Sequence, residues 1–271
     1  MNYYSKDQVN KIFKENFEFI KLDIVDNLIT IKLNRPNKRN AIHPQTLNEL
    51  AFVLQYVYYT NKIRVILLES SGSVFCSGSD LDAIRGNAAS HNSSIPNSKN
   101  EILLGQILTE VHTPIISKVE GSVYAGGYIY LACSTYVIAS DHLKFSLPEV
   151  KRGIFPMQVM GLLMRVMMPR NIIDWCIRGY SLSANKAKKW GLISKVVPQN
   201  KIDQEVKSWT KNVIENSPKA ISLGLEAFEN LIDQENNQKY LAKMLNKVLK
   251  SDDAKEGITA FKEKRRPKWK K

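Results

Sequence analysis

The chain has 271 residues, with 39 Lys and Arg against 26 Asp and Glu for a formal net charge of +13, and 44% of its residues are hydrophobic. That composition excludes a disordered or fibrous polymer, and the length suits one large core, since separate cores set in beyond roughly 250 to 300 residues. The three cysteines, Cys76, Cys133 and Cys176, lack Cys-x-x-Cys spacing, so they suggest neither a disulfide framework nor a zinc site and fit a reducing, cytoplasmic setting.

Residues 1–20 scatter Lys6, Asp7, Lys11, Lys14, Glu15 and Glu18 among apolar residues, so no h-region of a signal peptide can be drawn and secretion is not expected. Phe19 to Val25 alternates apolar and polar residues. After Asp26-Asn27 a second alternating run, Leu28 to Leu33, completes a predicted β-hairpin ending in Asn34-Arg35-Pro36. Pro44 opens a predicted helix carrying Leu47, Leu50, Ala51, Leu54 and Val57, with His43 at its N-terminus rather than in chemistry. Ile63 to Leu68 and Ile115 to Val119 read as buried strands. Strands alternating with helices predict an α/β core. Gly86 to Asn100, with four Ser and four Asn, reads as a mobile polar loop, either a lid or an ordinary insertion.

The most apolar later stretch, Ile154 to Met168, holds Pro156, Gln158 and Arg165 and is too short for a bilayer, so no membrane association is expected. Met157, Met160, Met164, Met167 and Met168 recur at near-helical spacing and read as core that could also wall a pocket. After Val197-Pro198 helices are predicted near Lys201–Glu215, Pro218–Gln234, Gln238–Lys250 and Asp253–Lys264. The organisation is thus a core over 1–200 and a helical region over 201–271. The end of the chain concentrates Lys262, Lys264, Arg265, Arg266, Lys268, Lys270 and Lys271 against Glu263 alone, a solvated tail or a site for a polyanion.

Three segments carry candidate chemistry. Phe75-Cys76-Ser77-Gly78-Ser79-Asp80-Leu81 and Val119-Glu120-Gly121-Ser122-Val123-Tyr124-Ala125-Gly126-Gly127 each place glycine after a strand and before a helix, where free backbone amides face outward. Either alone is more often a plain turn. Two such amides aimed at one point would form an oxyanion hole, in which one donor contributes about 3 to 4 kcal/mol to a barrier. The third, Phe145-Ser146-Leu147-Pro148-Glu149-Val150-Lys151-Arg152-Gly153-Ile154-Phe155-Pro156, sets a carboxylate beside an apolar stretch. Desolvation would raise the Glu149 pKa toward use in proton transfer, whereas a pairing with Lys151 or Arg152 would make it an ordinary surface group. No His, Cys, Asp and Glu cluster has metal-ligand spacing, so no metal is expected.

The ordered set LNRPNKRNAI (Leu33 to Ile42), FCSGSDL (Phe75 to Leu81), VEGSVYAGG (Val119 to Gly127), LPEVKRGIFP (Leu147 to Pro156), A-x-K-A-x-x-x-G-L-I (Ala184 to Ile193) and the terminal AFKEKRRPKW resembles the crotonase superfamily, the enoyl-CoA hydratase and isomerase family, from about residue 19 to the C-terminus. The resemblance implies a crotonase-type α/β spiral of ββα units with a C-terminal helical trimerisation region, the assembly being a homotrimer or a hexamer. It implies that the Ser79 and Gly126 amides cradle an acyl-CoA thioester oxygen, with coenzyme A part of the substrate and no separate cofactor. It implies further that Asn37, Lys38, Arg39, Ser77, Asp80 and Leu81 line the adenine and pantetheine path. The last helix would cross to a neighbouring subunit and bring Phe261 and Lys264 to the nucleotide of the next protomer.

One position departs from the family pattern. Hydratases of the family use two glutamates, and where the first would stand, three residues beyond Gly126, this chain has Ile129; Glu149 matches the second. Hydration divides its proton work between both carboxylates, whereas moving a double bond needs one base that removes a proton at one carbon and returns it at another. The resemblance therefore favours Δ3,Δ2-enoyl-CoA isomerisation. A dienoyl-CoA isomerase is disfavoured by Met157, where an aspartate would be wanted. A hydratase with a substitute acid, a decarboxylase acting on a malonyl-type thioester, and a non-catalytic CoA- or RNA-binding homologue stay as alternatives. No aromatic-basic RNA motif is present, so nucleic acid is not an expected partner.

Overall fold

A computed structural model describes residues 1–232, 242, 243 and 245–267. Among these residues ten strands form two sheets. The larger has the order β1 (Ile20–Val25), β2 (Leu28–Leu33), β3 (Val65–Ser70), β5 (Ile115–Val119), β7 (Tyr136–Ser140), β10 (Lys195–Val197). The smaller has the order β4 (Val74–Cys76), β6 (Ser122–Tyr124), β8 (Lys144–Ser146), β9 (Ser181–Ser183). The β1–β2 hairpin is antiparallel, closed by Asp26 in the left-handed region at φ 52°, with Val25 facing Leu28. β2, β3, β5, β7 and β10 then pair in parallel. Each successive pair, β3–β4, β5–β6 and β7–β8, gives one strand to each sheet before the chain turns helical, which is the repeated ββα spiral.

The helices in chain order are α1 (Lys6–Val9), α2 (Pro44–Tyr59), α3 (Leu81–Ile84), α4 (Leu104–Glu110), α5 (Tyr128–Ala132), α6 (Met157–Leu163), α7 (Pro169–Arg178), α8 (Ala184–Lys189), α9 (Ile202–Ile214) and α10 (Pro218–Ile232), followed by a terminal helix, Asp252–Lys262. Among the described residues no helix is long and apolar enough to cross a membrane. Of the predicted helix Gln238–Lys250, residues 238–241 and 244 lie outside the described residues, and 242, 243 and 245–249 are helical. α2 is buried over most of its length because it lies between the large sheet and the N-terminal segment. His43 caps it, its Nδ1 accepting the Gln45 amide at 3.1 Å. The buried Glu49 carboxylate accepts the Glu18, Phe19 and Ile20 amides at 2.9, 3.0 and 3.0 Å, fixing where β1 begins. α9 covers the opposite face of the sheet, joining Ile202 and Val206 to Val65, Leu67, Ile116 and Ile138, with Trp209 stacked on Tyr136. Covering both faces explains why β3 and β5 read as unbroken apolar runs.

At the N-terminus a Ser5/Gln8 capping box starts α1, and Tyr4, Val9 and Ile12 join the core. Two expectations are corrected. The 86–100 loop is irregular but tied down rather than free. Its Ala89, Ile95 and Pro96 carbonyls bond the side chains of His43, Gln45 and Tyr4, Asn97 bonds Asn48, and Ile95 is buried. The methionine stripe is not one core face, because α6 ends at Leu163 and a new helix starts at Pro169. Met167 is buried while Met164 and Met168 are exposed.

The terminal helix meets the one-turn 3₁₀ helix Glu149–Arg152 through two glycines. A Cβ on Gly257 would stand 2.3 Å from the Arg152 carbonyl, and one on Gly153 would stand 2.3 Å from the Asp253 carbonyl oxygen. A helical Gly→Ala change ordinarily stabilises by about 0.5 to 1 kcal/mol. That gain is expected at Gly224 of α10, where a Cβ meets nothing within 4 Å. Gly257→Ala should instead destabilise, by about 1 to 3 kcal/mol through overpacking against backbone. Urea unfolding of the two variants checks the opposite signs.

Candidate active site

β4, β6 and β8 lie side by side and parallel, Cys76 beside Val123 and Val123 beside Phe145. Their carboxyl ends therefore open at one edge of the small sheet, where α/β architectures gather ligand-binding turns. Ser79 lies three residues past the end of β4, Gly126 two past β6 and Glu149 three past β8. The topology thus brings all three expected catalytic residues to one edge.

The first two turns touch. Gly78 holds φ +91°, open to glycine, and Ala125 holds φ +50°, a strained value for a residue with a Cβ. A Cβ on Gly78 would lie 2.7 Å from the Ala125 Cβ and 3.0 Å from the Gly126 nitrogen, and one on Gly126 would lie 3.5 Å from the Ser79 nitrogen. Glycine at 78 is what lets the two turns come so close, whereas a Cβ at 126 would make ordinary contact. A parallel bridge to Ile42 uses the Gly78 carbonyl and the Asp80 amide, at 2.8 and 3.0 Å, and passes over the Ser79 amide between them. One expectation changes: the helix after Ser79 is a single turn, Leu81–Ile84, capped by Asp80. The donors are individual amides, and no long helix dipole stands behind Ser79.

The surrounding residues divide into anchors and exposed groups. Asp80 is an anchor. Against the upward push of burial, the Arg35 guanidinium at 2.6 Å and the Asp82 and Ala83 amides hold its carboxyl below the usual range. Asn40, to which the motifs assign no role, is buried. It accepts the Arg35 amide and donates to the Ser71 and Val74 carbonyls, tying the Asn37-Lys38-Arg39 turn to β4. Its signal in the sequence is the pair Arg39-Asn40, both left-handed at φ 53° and 52°. The Ser77 amide donates to the Arg39 carbonyl at 3.1 Å. Asn37, Lys38, Arg39 and Ser79 are left exposed, with Ser77, Leu81 and Gly126 half-buried. Cys76 is buried with its thiol pushed up to about 12 by burial, which makes it a small apolar group.

Glu149 is 8% exposed and its Oε2 has no hydrogen-bond partner. Burial raises its pKa to about 7, partly offset by a backbone amide and the charge of Arg152. The surface pairing with Lys151 or Arg152 does not form. The Arg152 guanidinium instead lies 3.9 Å from the centre of the Phe261 ring. Lys262 pairs with Asp82 at 3.4 Å, so the terminal helix spans from the Glu149 turn to the turn after Ser79 of the same chain. Gly153 and Gly257 let the helix dock there, so one face of Phe261 packs on the Glu149 turn of its own chain. Half of Phe261 stays exposed, and Lys264 ends the helix at φ 54° on the surface.

Ile129 is buried on α5, where the resemblance would place a second carboxylate. Its neighbours do not replace one. The Tyr128 hydroxyl donates to the Val123 carbonyl at 2.7 Å, and burial followed by the charge of Glu149 keeps it protonated. The Tyr130 hydroxyl is buried without a partner, its ring edge-on to Phe75. A carboxyl raised from 4.5 to about 7 holds more protons folded than unfolded between those pH values, so stability falls as pH rises through that window. Glu149→Gln, which stays neutral, should therefore unfold at higher temperature than the parent above pH 7, by up to about 3 kcal/mol. The difference should shrink toward pH 4. Calorimetry across pH checks this, and a difference constant with pH would contradict it.

Comparison with known proteins bears on the family and the fold. The sequence model of the family described as enoyl-CoA hydratase/isomerase matches residues 23–271. Enoyl-CoA hydratase domain-containing protein 3, mitochondrial, of Danio rerio is 30% identical over 88% of this chain and 83% of its own length. Mevalonyl-coenzyme A hydratase sidH of Aspergillus fumigatus is 27% identical over 90% and 91%. The crystal structure of carnitinyl-CoA hydratase from Mycobacterium avium superposes with a TM-score of 0.80 at 24% identity, covering 94% of this chain and 99% of that one, a likeness of fold. With the same spiral and a family match over nearly its whole length, the chain belongs to the enoyl-CoA hydratase/isomerase family of the crotonase superfamily.

Proposed function

We propose that the chain is an acyl-CoA enzyme that shifts a double bond, a Δ3,Δ2-enoyl-CoA isomerase. The observation that carries this reading is one buried, unpartnered carboxyl, Glu149, beside an isoleucine at 129. The Ser79 and Gly126 amides would donate to the thioester carbonyl oxygen of a 3-enoyl-CoA and stabilise the negative charge that grows there. Glu149 takes a proton from C2, giving the enolate, and returns a proton at C4 as the double bond moves to C2–C3. A carboxyl with pKa about 7 suits both halves, since it is a competent base when ionised and a competent acid once loaded.

The coenzyme enters as part of the substrate. Lys38 and Arg39 stand exposed where its phosphates would come, with Asn37, Ser77 and Leu81 along the chain. The open face of Phe261 and Lys264 border the nucleotide end, and Asp80 acts through Arg35 by shaping the turn. The apolar surface left by Met164, Met168, Ile173, Ile177 and Leu231 supports self-association of this half of the chain, as a homotrimer or hexamer. Hydration is the second reading, favoured by the relatives, whose names are those of hydratases.

Purified protein should generate the conjugated chromophore from a 3-enoyl-CoA much faster than it consumes that of a 2-enoyl-CoA, and Glu149→Gln should lower turnover by about 10²- to 10⁴-fold. Undiminished turnover in that variant would remove Glu149 from the mechanism. Rapid loss of conjugation in the parent would establish hydration. Installing the missing carboxylate, Ile129→Glu, should raise the ratio of hydration to isomerisation, measured with the same two substrates.

A further inference from the structure

A carboxylate and a guanidinium three residues apart on a 3₁₀ turn share one side of it, since that helix has about three residues per turn. Glu149 and Arg152 occupy the first and last positions of such a turn. An ion pair is the arrangement this spacing favours, and it is absent: the Glu149 Oε2 has no partner, while the Arg152 guanidinium lies over Phe261, 3.9 Å from its centre. We infer that Phe261 is a positioning residue for Glu149, its ring holding the Arg152 cation away from the carboxylate and so keeping that carboxylate unpaired. This deepens the reading of Glu149 as the proton carrier and rests on it, although the titration that tests it needs no turnover.

The arrangement is built from outside the turn. The glycine contacts at 153 and 257 bring the terminal helix close enough for the Phe261 ring to reach Arg152, and Lys262 on Asp82 fixes the helix's far end. A guanidinium over an aromatic face gives up water for the ring's negative quadrupole, and here Arg152 is half-buried. The other titratable groups felt at Glu149 are Tyr128 on α5 and Cys176 on α7, both held protonated first by burial and then by the charge of Glu149. On the turn itself the Lys151 chain lies toward Gly179. On the terminal helix, Lys262 bonds Asp82 and Glu256 bonds Arg265, while glycine and backbone carbonyl are what meet the turn. Arg152 is therefore the cation within reach of Glu149 among the described residues, and the Phe261 ring decides where it goes.

The test is a carbon-13 NMR titration of the Glu149 carboxyl in the unliganded full-length protein, its resonance assigned by its loss in Glu149→Gln. The parent should titrate near 7. Phe261→Leu should lower the midpoint by about 1 pH unit or more, a tenfold or larger drop in proton affinity, as Arg152 closes on the carboxylate. Phe261→Trp should leave it within about 0.3 unit of the parent, and Phe261→Leu with Arg152→Gln should restore it. An unchanged midpoint in folded Phe261→Leu would overturn the inference. So would a lowered midpoint that Arg152→Gln does not restore, which would mean that water, not the guanidinium, had entered. Arg152→Gln alone, which leaves the helix contact in place, should raise the midpoint by less than about 0.5 unit, and a rise above 1 unit would show that the pair already exists. Absence of isomerase activity with these titrations as described would sink the functional reading and leave the positioning role standing.

Discussion

Parallel pairing of three short strands is the constraint on which the rest depends. β4, β6 and β8 have three residues each, too few to be stable by themselves, and they exist because every circuit of the spiral also lays a longer strand into the large sheet. Their common direction places three turns at one edge, and the chemistry is distributed one group per turn. Gly78 and Ala125 then hold left-handed backbone where the first two turns meet. The strain at Ala125 is offset by the surrounding sheet, as expected where backbone amides must be aimed rather than merely satisfied.

Electrostatics at the edge divide by turn. Beside Ser79 the adjoining carboxylate, Asp80, is neutralised by Arg35 and spent on capping α3, so negative charge is kept from the place where an enolate oxygen would form. Around Glu149 the opposite holds: burial by α5, α7 and the terminal helix removes water without supplying a partner. A buried acid left unpaired costs folding stability at neutral pH. The proposed role in proton transfer accounts for that cost, which no structural contact of the carboxyl offsets.

The hairpin, α2 and the apolar strands were legible because local periodicity coincided with burial. His43 read correctly as a helix cap for the same reason, its role being set by residues beside it in the chain. Long-range features were not legible. The tie between the 86–100 loop and Tyr4, Gln45 and Asn48 joins residues about fifty or more apart, and polar composition alone reads as freedom. The methionines kept a helical period past the end of α6 at Leu163, so spacing without continuity misplaced them. At the site, glycine turns and a carboxylate in an apolar stretch announced the three edge residues. Whether Glu149 would pair with Lys151 or Arg152 stayed open in the sequence, because the diversion of Arg152 onto Phe261 depends on a helix more than a hundred residues later.

The central claim is that one carboxyl both takes and returns the proton. The most direct measurement follows the label when a 3-enoyl-CoA dideuterated at C2 is converted in ordinary water, with mass spectrometry of the 2-enoyl product. A single buried carrier predicts that part of the deuterium removed from C2 reappears at C4 in the first turnovers. Conversion with none of it at C4, every incoming hydrogen being drawn from solvent, would contradict the account.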